Sequence, residues 1–193
     1  MRTLGRLILR FAVGGFFIGH GTQKLFGWFG GQGIDATAKG FEHLGLRPGK
    51  AHALTAGTAE TGGGALLALG AATPLAASVL TATMLTAINR VHLSKGPWVM
   101  KGGYEYNVVL IAAVLALAET GPGSPSVDAA LGTERHGARW AALALALGLL
   151  GAAGAHLAAE LAPVPEPEST PAEAPAEPAE PAAEREPAGA TQS

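Results

Sequence analysis

Five apolar stretches, each long enough to cross a lipid bilayer, constrain the fold of this chain more than any other feature. A helix needs roughly 20 residues at 1.5 Å each to span the hydrocarbon core. Only 15% of the 193 residues are charged, whereas about 25% are charged in a soluble domain. The pattern predicts an all-α integral membrane bundle with spans at residues 4–22, 51–71, 74–93, 104–121 and 137–157.

The start of the chain has a pattern typical of a secretory signal peptide, because basic residues precede an apolar run. No A-x-A cleavage pattern follows Gly19, however, and His20, Gln23 and Lys24 come instead. We therefore expect the first span to be retained in the mature protein.

The number of spans assigns each polar residue to one side of the membrane. If the chain starts on side A, spans one and three end on side B, and the fourth span starts there. Side B then collects His20, Lys24, the 26–50 loop, Asn89, Arg90, His92 and residues 104–107. Side A collects Arg2, Arg6, Glu119 and the 121–135 loop. Basic residues lean towards side B, which favours side B in the cytoplasm.

The composition changes abruptly near the end of the chain. Residues 162–193 contain eight prolines and seven glutamates and no aromatic residue. Such a segment cannot bury enough apolar surface to fold alone, so we expect a disordered acidic tail. The expected division is a four-helix membrane domain at 1–128, a linker with a fifth transmembrane helix at 129–161, and this tail at 162–193.

The 23–50 connection is too long for a simple helix–helix turn. Asp35 is expected to cap a short helix that runs to about Leu44, with Gly45 as its C′ residue. Phe26, Trp28 and Phe29 precede this helix. Aromatic side chains of this kind settle at the headgroup level, so the segment is expected to lie at the membrane surface.

Glu60 lies at the centre of the second span and needs a partner, since a carboxylate there costs about 2.5–3.5 kcal/mol. Helix counting places Arg10 at a similar depth in the first span. We therefore expect a Glu60–Arg10 ion pair, with His20 as the alternative partner. The pair would serve either a functional site or helix packing alone.

Other polar residues suggest weaker hypotheses. His20, His92 and Glu60 are ligand types that zinc or iron accepts, but no HExxH or ExxH spacing supports a metal site, and we predict none. Glu105 and Asn107 open the fourth span, where an acidic residue suits a helix N-terminus. Small residues that allow close helix approach recur at Gly15/Gly19, Ala59/Gly63 and Gly148/Ala152.

Several function classes are disfavoured. The chain has no cysteine, which excludes disulfides and thiolate chemistry. No nucleotide-binding loop or hydrolase triad is present, and the basic residues show no nucleic-acid pattern. A small transporter is a third option because of the intramembrane carboxylate, although no internal repeat supports it.

Separated blocks of sequence resemble one known family. They are Gly15-Phe16-Phe17-Ile18-Gly19-His20-Gly21-Thr22-Gln23-Lys24-Leu25-Phe26-Gly27, Glu60 with Gly62–Gly64, His92 with Gly96-Pro97, Gly102-Gly103-Tyr104-Glu105-Tyr106-Asn107, and Ser126-Val127-Asp128. Over residues 5–128 the chain resembles the DoxX family of small bacterial membrane proteins. The resemblance implies a four-helix membrane bundle in the bacterial cell membrane and says nothing of the fifth span or the tail.

The family resemblance implies a subunit or accessory component of a membrane redox system, quinone-linked or concerned with oxidative stress. It does not decide whether the chain is itself an enzyme. A quinone is the cofactor this link suggests, and the partners are the lipid bilayer and redox proteins. The candidate polar intramembrane site is Glu60, Arg10, His20, Lys24, His92, Glu105 and Asn107. The alternative is a non-catalytic scaffold that recruits partner proteins.

Overall fold

The computed structural model describes residues 3–163 of the chain. Seven α-helices and no strand occur in this part, which confirms the all-α prediction. The helices are α1 (Thr3–Phe26), α2 (Gly33–His43), α3 (Gly49–Leu69), α4 (Thr73–Ala87), α5 (Glu105–Thr120), α6 (Val127–Leu131) and α7 (Ala138–Leu161). A π-helical turn, Ile88–His92, continues α4. Residues 164–193, nearly all of the expected acidic tail, lie outside the described residues.

The longer helices form one packed body. Helix α1 packs against α3, α3 against α4, α4 against α5, and α5 touches α1, so these four close a ring. Helix α7 packs along α4 and α5. Buried apolar side chains from several of these helices fill the centre, among them Phe17, Leu67, Leu80, Val114 and Leu117. Residues 3–163 belong to one compact unit.

Glycines set the register between α1 and α3. A Cβ at Gly14 would lie 2.6 Å from the carbonyl oxygen of Gly64, and one at Gly21 would lie 2.6 Å from that of Gly57. The two helices therefore run antiparallel in close backbone contact. The expectation for Gly15 and Gly19 is wrong, because an added Cβ at either would meet open space. Their face of α1 is turned away from α3.

The other small-residue positions do pack. A Cβ at Gly63 would touch Leu80 of α4, and one at Gly148 would touch Thr81 of α4. Helix α7 thus runs beside α4 in the same direction, as the count of helices requires. Ala144 on the same face of α7 is fully buried.

The short helix in the first long connection differs in its start from the prediction. Helix α2 begins at Gly33, and Asp35 lies inside its first turn without capping it. An acidic residue there still suits the helix dipole. The end of the helix is as predicted: Gly45 has φ 75° and donates its N–H to the carbonyl of Glu42.

One helix within residues 3–163 is long and apolar enough to cross a membrane on its own composition, namely α7, Ala138–Leu161. Its surface is mostly uncovered by the rest of the protein, since only Ala144, Gly148, Ala152 and Ala159 of its 24 residues are buried. Large apolar side chains are also exposed on α1, including Ile8, Phe11 and Phe16.

Candidate functional site

A cavity of about 720 Å³ opens at the end of the bundle that is expected to face side B, and its volume is in the range of small-molecule sites. Helices α1, α3, α4 and α5 form its walls, and α2 and α7 complete its rim. Phe17, Val79, Met84 and Leu110 are among its apolar lining. The cavity is therefore built for a largely apolar molecule with a few polar contacts.

Lys24 and Glu60 form an ion pair in the cavity wall. Lys24 Nζ donates to Glu60 Oε2 across the α1–α3 interface. The Glu60 side chain is 6% exposed and that of Lys24 is 25% exposed. Lys24 also donates to the carbonyl of His20, 3.3 Å away. The buried carboxylate thus has its counter-charge from a lysine whose own head reaches the cavity.

The predicted pairing of Glu60 with Arg10 is wrong. The Arg10 guanidinium points to the opposite end of the bundle and donates to four carbonyls: Leu67 at 3.2 Å, Ala68 at 2.8 Å, Pro122 at 2.9 Å and Pro125 at 3.0 Å. Helix counting gave the depth of its Cα, but a side chain in a helix leans towards the helix N-terminus. Arg10 therefore ties the end of α3 to the 121–126 loop and does not line the cavity.

Both predicted histidines lie at the cavity. His20 is exposed and its Nδ1 lies 3.1 Å from Gln23 Oε1. His92, on the π-helical turn, has its Nδ1 2.6 Å from the carbonyl of Gly102. That contact makes Nδ1 the protonated nitrogen and leaves Nε2 as an acceptor in the neutral ring.

The two predicted residues of the fourth span have different positions. Asn107 is buried, lines the cavity and donates from Nδ2 to the sulfur of Met84 at 3.4 Å. Glu105 does not line the cavity, and its Oε1 accepts the N–H of Val99 at 2.9 Å. Glu105 therefore closes the 96–105 loop onto the start of α5.

Sequence reasoning missed a second polar cluster at the cavity. Arg90 lines it, and its Nε donates to His156 Nδ1 of α7 at 2.9 Å. His52 and Tyr106 line it too. Counting spans would have placed His156 on side B, but the pairing joins residues 66 positions apart and has no local signal. Helix α7 thereby contributes to the site through Gly151 and Ala155 at the rim and through the contact of His156 with Arg90.

The charges of the site are unequal. Lys24 is matched by Glu60, whereas Arg90 has no carboxylate within 4.0 Å among residues 3–163. No group of three or more His, Cys, Asp or Glu in that range could hold a metal ion. His20, His92 and Glu60 thus do not converge as a ligand set. The arrangement offers hydrogen-bond donors and a net positive charge to an oxygen-bearing ligand.

Comparison with known proteins identifies a family for part of the chain. No curated protein and no solved structure matched the chain. A family model described as DoxX matches residues 5–93, which comprise α1 to α4 and the π-helical turn and end before α5. The resemblance noted in the sequence is confirmed over these residues, which are similar to the DoxX family.

Proposed function

We propose that this protein is a multi-pass membrane protein that binds a small lipophilic carbonyl compound of the quinone type, as a subunit or accessory component of a membrane redox system. The cavity at side B carries the proposal. Its apolar walls suit a ring or prenyl chain, and Lys24, Arg90 and Asn107 are donors suited to a carbonyl oxygen.

The membrane placement takes α1, α3, α4 with its π-helical turn, α5 and α7 as the spans. Exposed large apolar side chains on α1 and α7 support it, because such surfaces suit lipid. The division into a 1–128 domain, a 129–161 linker and helix, and a 162–193 tail is part of the same proposal.

Cysteine labelling tests the placement, since the chain has no cysteine of its own. Lys101→Cys on side B and Glu134→Cys on side A are both at exposed positions. In sealed cells, a membrane-impermeant maleimide should label one variant and spare the other. Equal labelling of both, or of neither until lysis, would contradict an odd number of spans between them.

Quinone content tests the ligand. The protein purified in mild detergent should yield a quinone on solvent extraction, near one per chain. Ala59→Phe places a ring in the cavity that Ala59 lines and should abolish recovery. Ala12→Phe makes the same change at an exposed position of α1 and should not. Quinone-free wild-type protein, or equal recovery from both variants, would refute the quinone assignment.

A non-catalytic scaffold is the second candidate, in which side B recruits redox partner proteins. Exposed apolar side chains in its loops favour it: Phe29 is 75%, Trp98 63% and Met100 94% exposed. Photocrosslinking from position 100 in cells should then capture one discrete protein partner. Crosslinks to lipid alone would place this surface in the headgroup region and exclude the scaffold role for it.

A further inference from the structure

A second cavity lies at the opposite end of the bundle, in a groove between α4 and α7. Its volume is about 370 Å³. Leu75, Leu143 and Leu147 line its length, and Thr133, Arg135 and Trp140 lie towards side A. The seven steps of α7 from Trp140 to Leu147 correspond to about 10 Å of depth at 1.5 Å per residue. The groove is thus apolar along its length and carries one cation, Arg135, at its mouth.

Two arginines flank one tryptophan at this mouth. The guanidinium carbon of Arg135 lies 4.9 Å from the centroid of the Trp140 ring, and that of Arg139 lies 5.8 Å from it. Neither arginine has a carboxylate within 4.0 Å among residues 3–163. Stacking on the ring orients a guanidinium and leaves its N–H groups free to donate.

The acidic groups nearby do not neutralise these arginines. Asp128 lines the groove, but its two oxygens accept the N–H groups of Ala72 and Thr73 and the hydroxyl of Thr73, at 2.8 to 3.1 Å. The Asp128 carboxylate is therefore engaged in hydrogen bonds to the start of α4. Glu134 and Glu119 are both exposed, and the backbone carbonyl of Glu119 accepts the N–H of Gly137 at 2.7 Å. Neither carboxylate lies within 4.0 Å of Arg135 or Arg139 among residues 3–163, so both guanidiniums can still donate to a bound anion.

We propose that this groove binds one anionic phospholipid, with its phosphate at Arg135 and Arg139 and an acyl chain along the three leucines. Guanidinium groups bind phosphate through paired hydrogen bonds, and tryptophan settles at the headgroup level. The apolar groove suits the acyl chain of such a lipid, and the two arginines at its mouth suit the phosphate. The inference rests on the proposed membrane placement and not on the ligand of the larger cavity.

Fluorescence quenching tests this site directly. Trp28→Phe with Trp98→Phe removes two exposed tryptophans and leaves Trp140 as the single reporter. The protein is placed in nanodiscs with brominated phosphatidylglycerol in phosphatidylethanolamine, and then with the bromine on the phosphatidylethanolamine at the same mole fraction. Brominated phosphatidylglycerol should quench Trp140 more strongly than its bulk fraction predicts.

Charge removal supplies the matched comparison. Arg135→Gln or Arg139→Gln should each lower the relative affinity for phosphatidylglycerol about fivefold, equivalent to about 1 kcal/mol. Lys101→Gln removes the same charge on side B and should leave quenching unchanged. Equal quenching by the two brominated lipids, in protein whose cysteine labelling is as proposed, would overturn this site alone. Displacement of the lipid by soluble glycerol phosphate would show a headgroup site without a lipid chain and would also overturn it.

Discussion

Removal of Lys24 should destabilise the protein more than removal of Glu60, although both changes break the same ion pair. Lys24→Met leaves a carboxylate of 6% exposure without its counter-charge. Glu60→Gln leaves an ammonium group of 25% exposure, which can extend towards side B and keeps the His20 carbonyl as an acceptor. The difference in burial therefore sets the order of the two losses.

The magnitudes follow from the same geometry. Breaking a buried pair by removing one partner costs about 3–5 kcal/mol, and we expect Lys24→Met in that range. Glu60→Gln should cost about 1–2 kcal/mol, because the remaining charge can reach solvent. The double variant should lose little more than Glu60→Gln alone, which gives a coupling energy of at least about 2 kcal/mol.

Reversible unfolding of the detergent-solubilised protein, followed by helical circular dichroism, measures these free energies. Lys50→Met is the matched control: its pair with Asp35 is 3.8 Å long, and the two side chains are 68% and 83% exposed. That change should stay within about 0.5 kcal/mol. A smaller loss for Lys24→Met than for Glu60→Gln, or additive losses in the double variant, would refute the reasoning.

Three further outcomes are expected. Gly14→Ala should cost about 1–3 kcal/mol in the same assay, since its Cβ would lie 2.6 Å from a backbone atom of α3. Gly15→Ala should be neutral or slightly stabilising, because its Cβ meets open space. Equal effects of the two changes would disprove the packing of α1 described above. Arg10→Gln should cost about 3–5 kcal/mol of stability, because four carbonyls lose a charged donor. Quinone recovery per folded chain should stay unchanged. A selective loss of quinone would instead place Arg10 in the site. His156→Ala should lower quinone recovery by about 5- to 10-fold, because Arg90 loses the side chain that holds it. His136→Ala, at an exposed position, should leave recovery unchanged. Unchanged recovery from His156→Ala would show that the contact between α7 and Arg90 does not contribute to binding.

Much of the fold was readable because its signals are local. The lengths of the apolar stretches predict the five long helices close to their observed bounds. Gly45 ends α2 as predicted, because it adopts a positive φ that other residues avoid. The count of spans predicts that Lys24, His92 and Asn107 lie at one end, since parity needs no side-chain geometry.

The tertiary structure alone decided which residues meet. Glu60 pairs with Lys24 and not Arg10, because a long side chain extends several ångströms from its Cα and packing selects its direction. Gly14 and not Gly15 faces α3, because a helix's rotation about its axis is set by its neighbours. His156 holds Arg90 only because α7 packs beside α4. These choices depend on contacts between distant segments, which local sequence patterns do not encode.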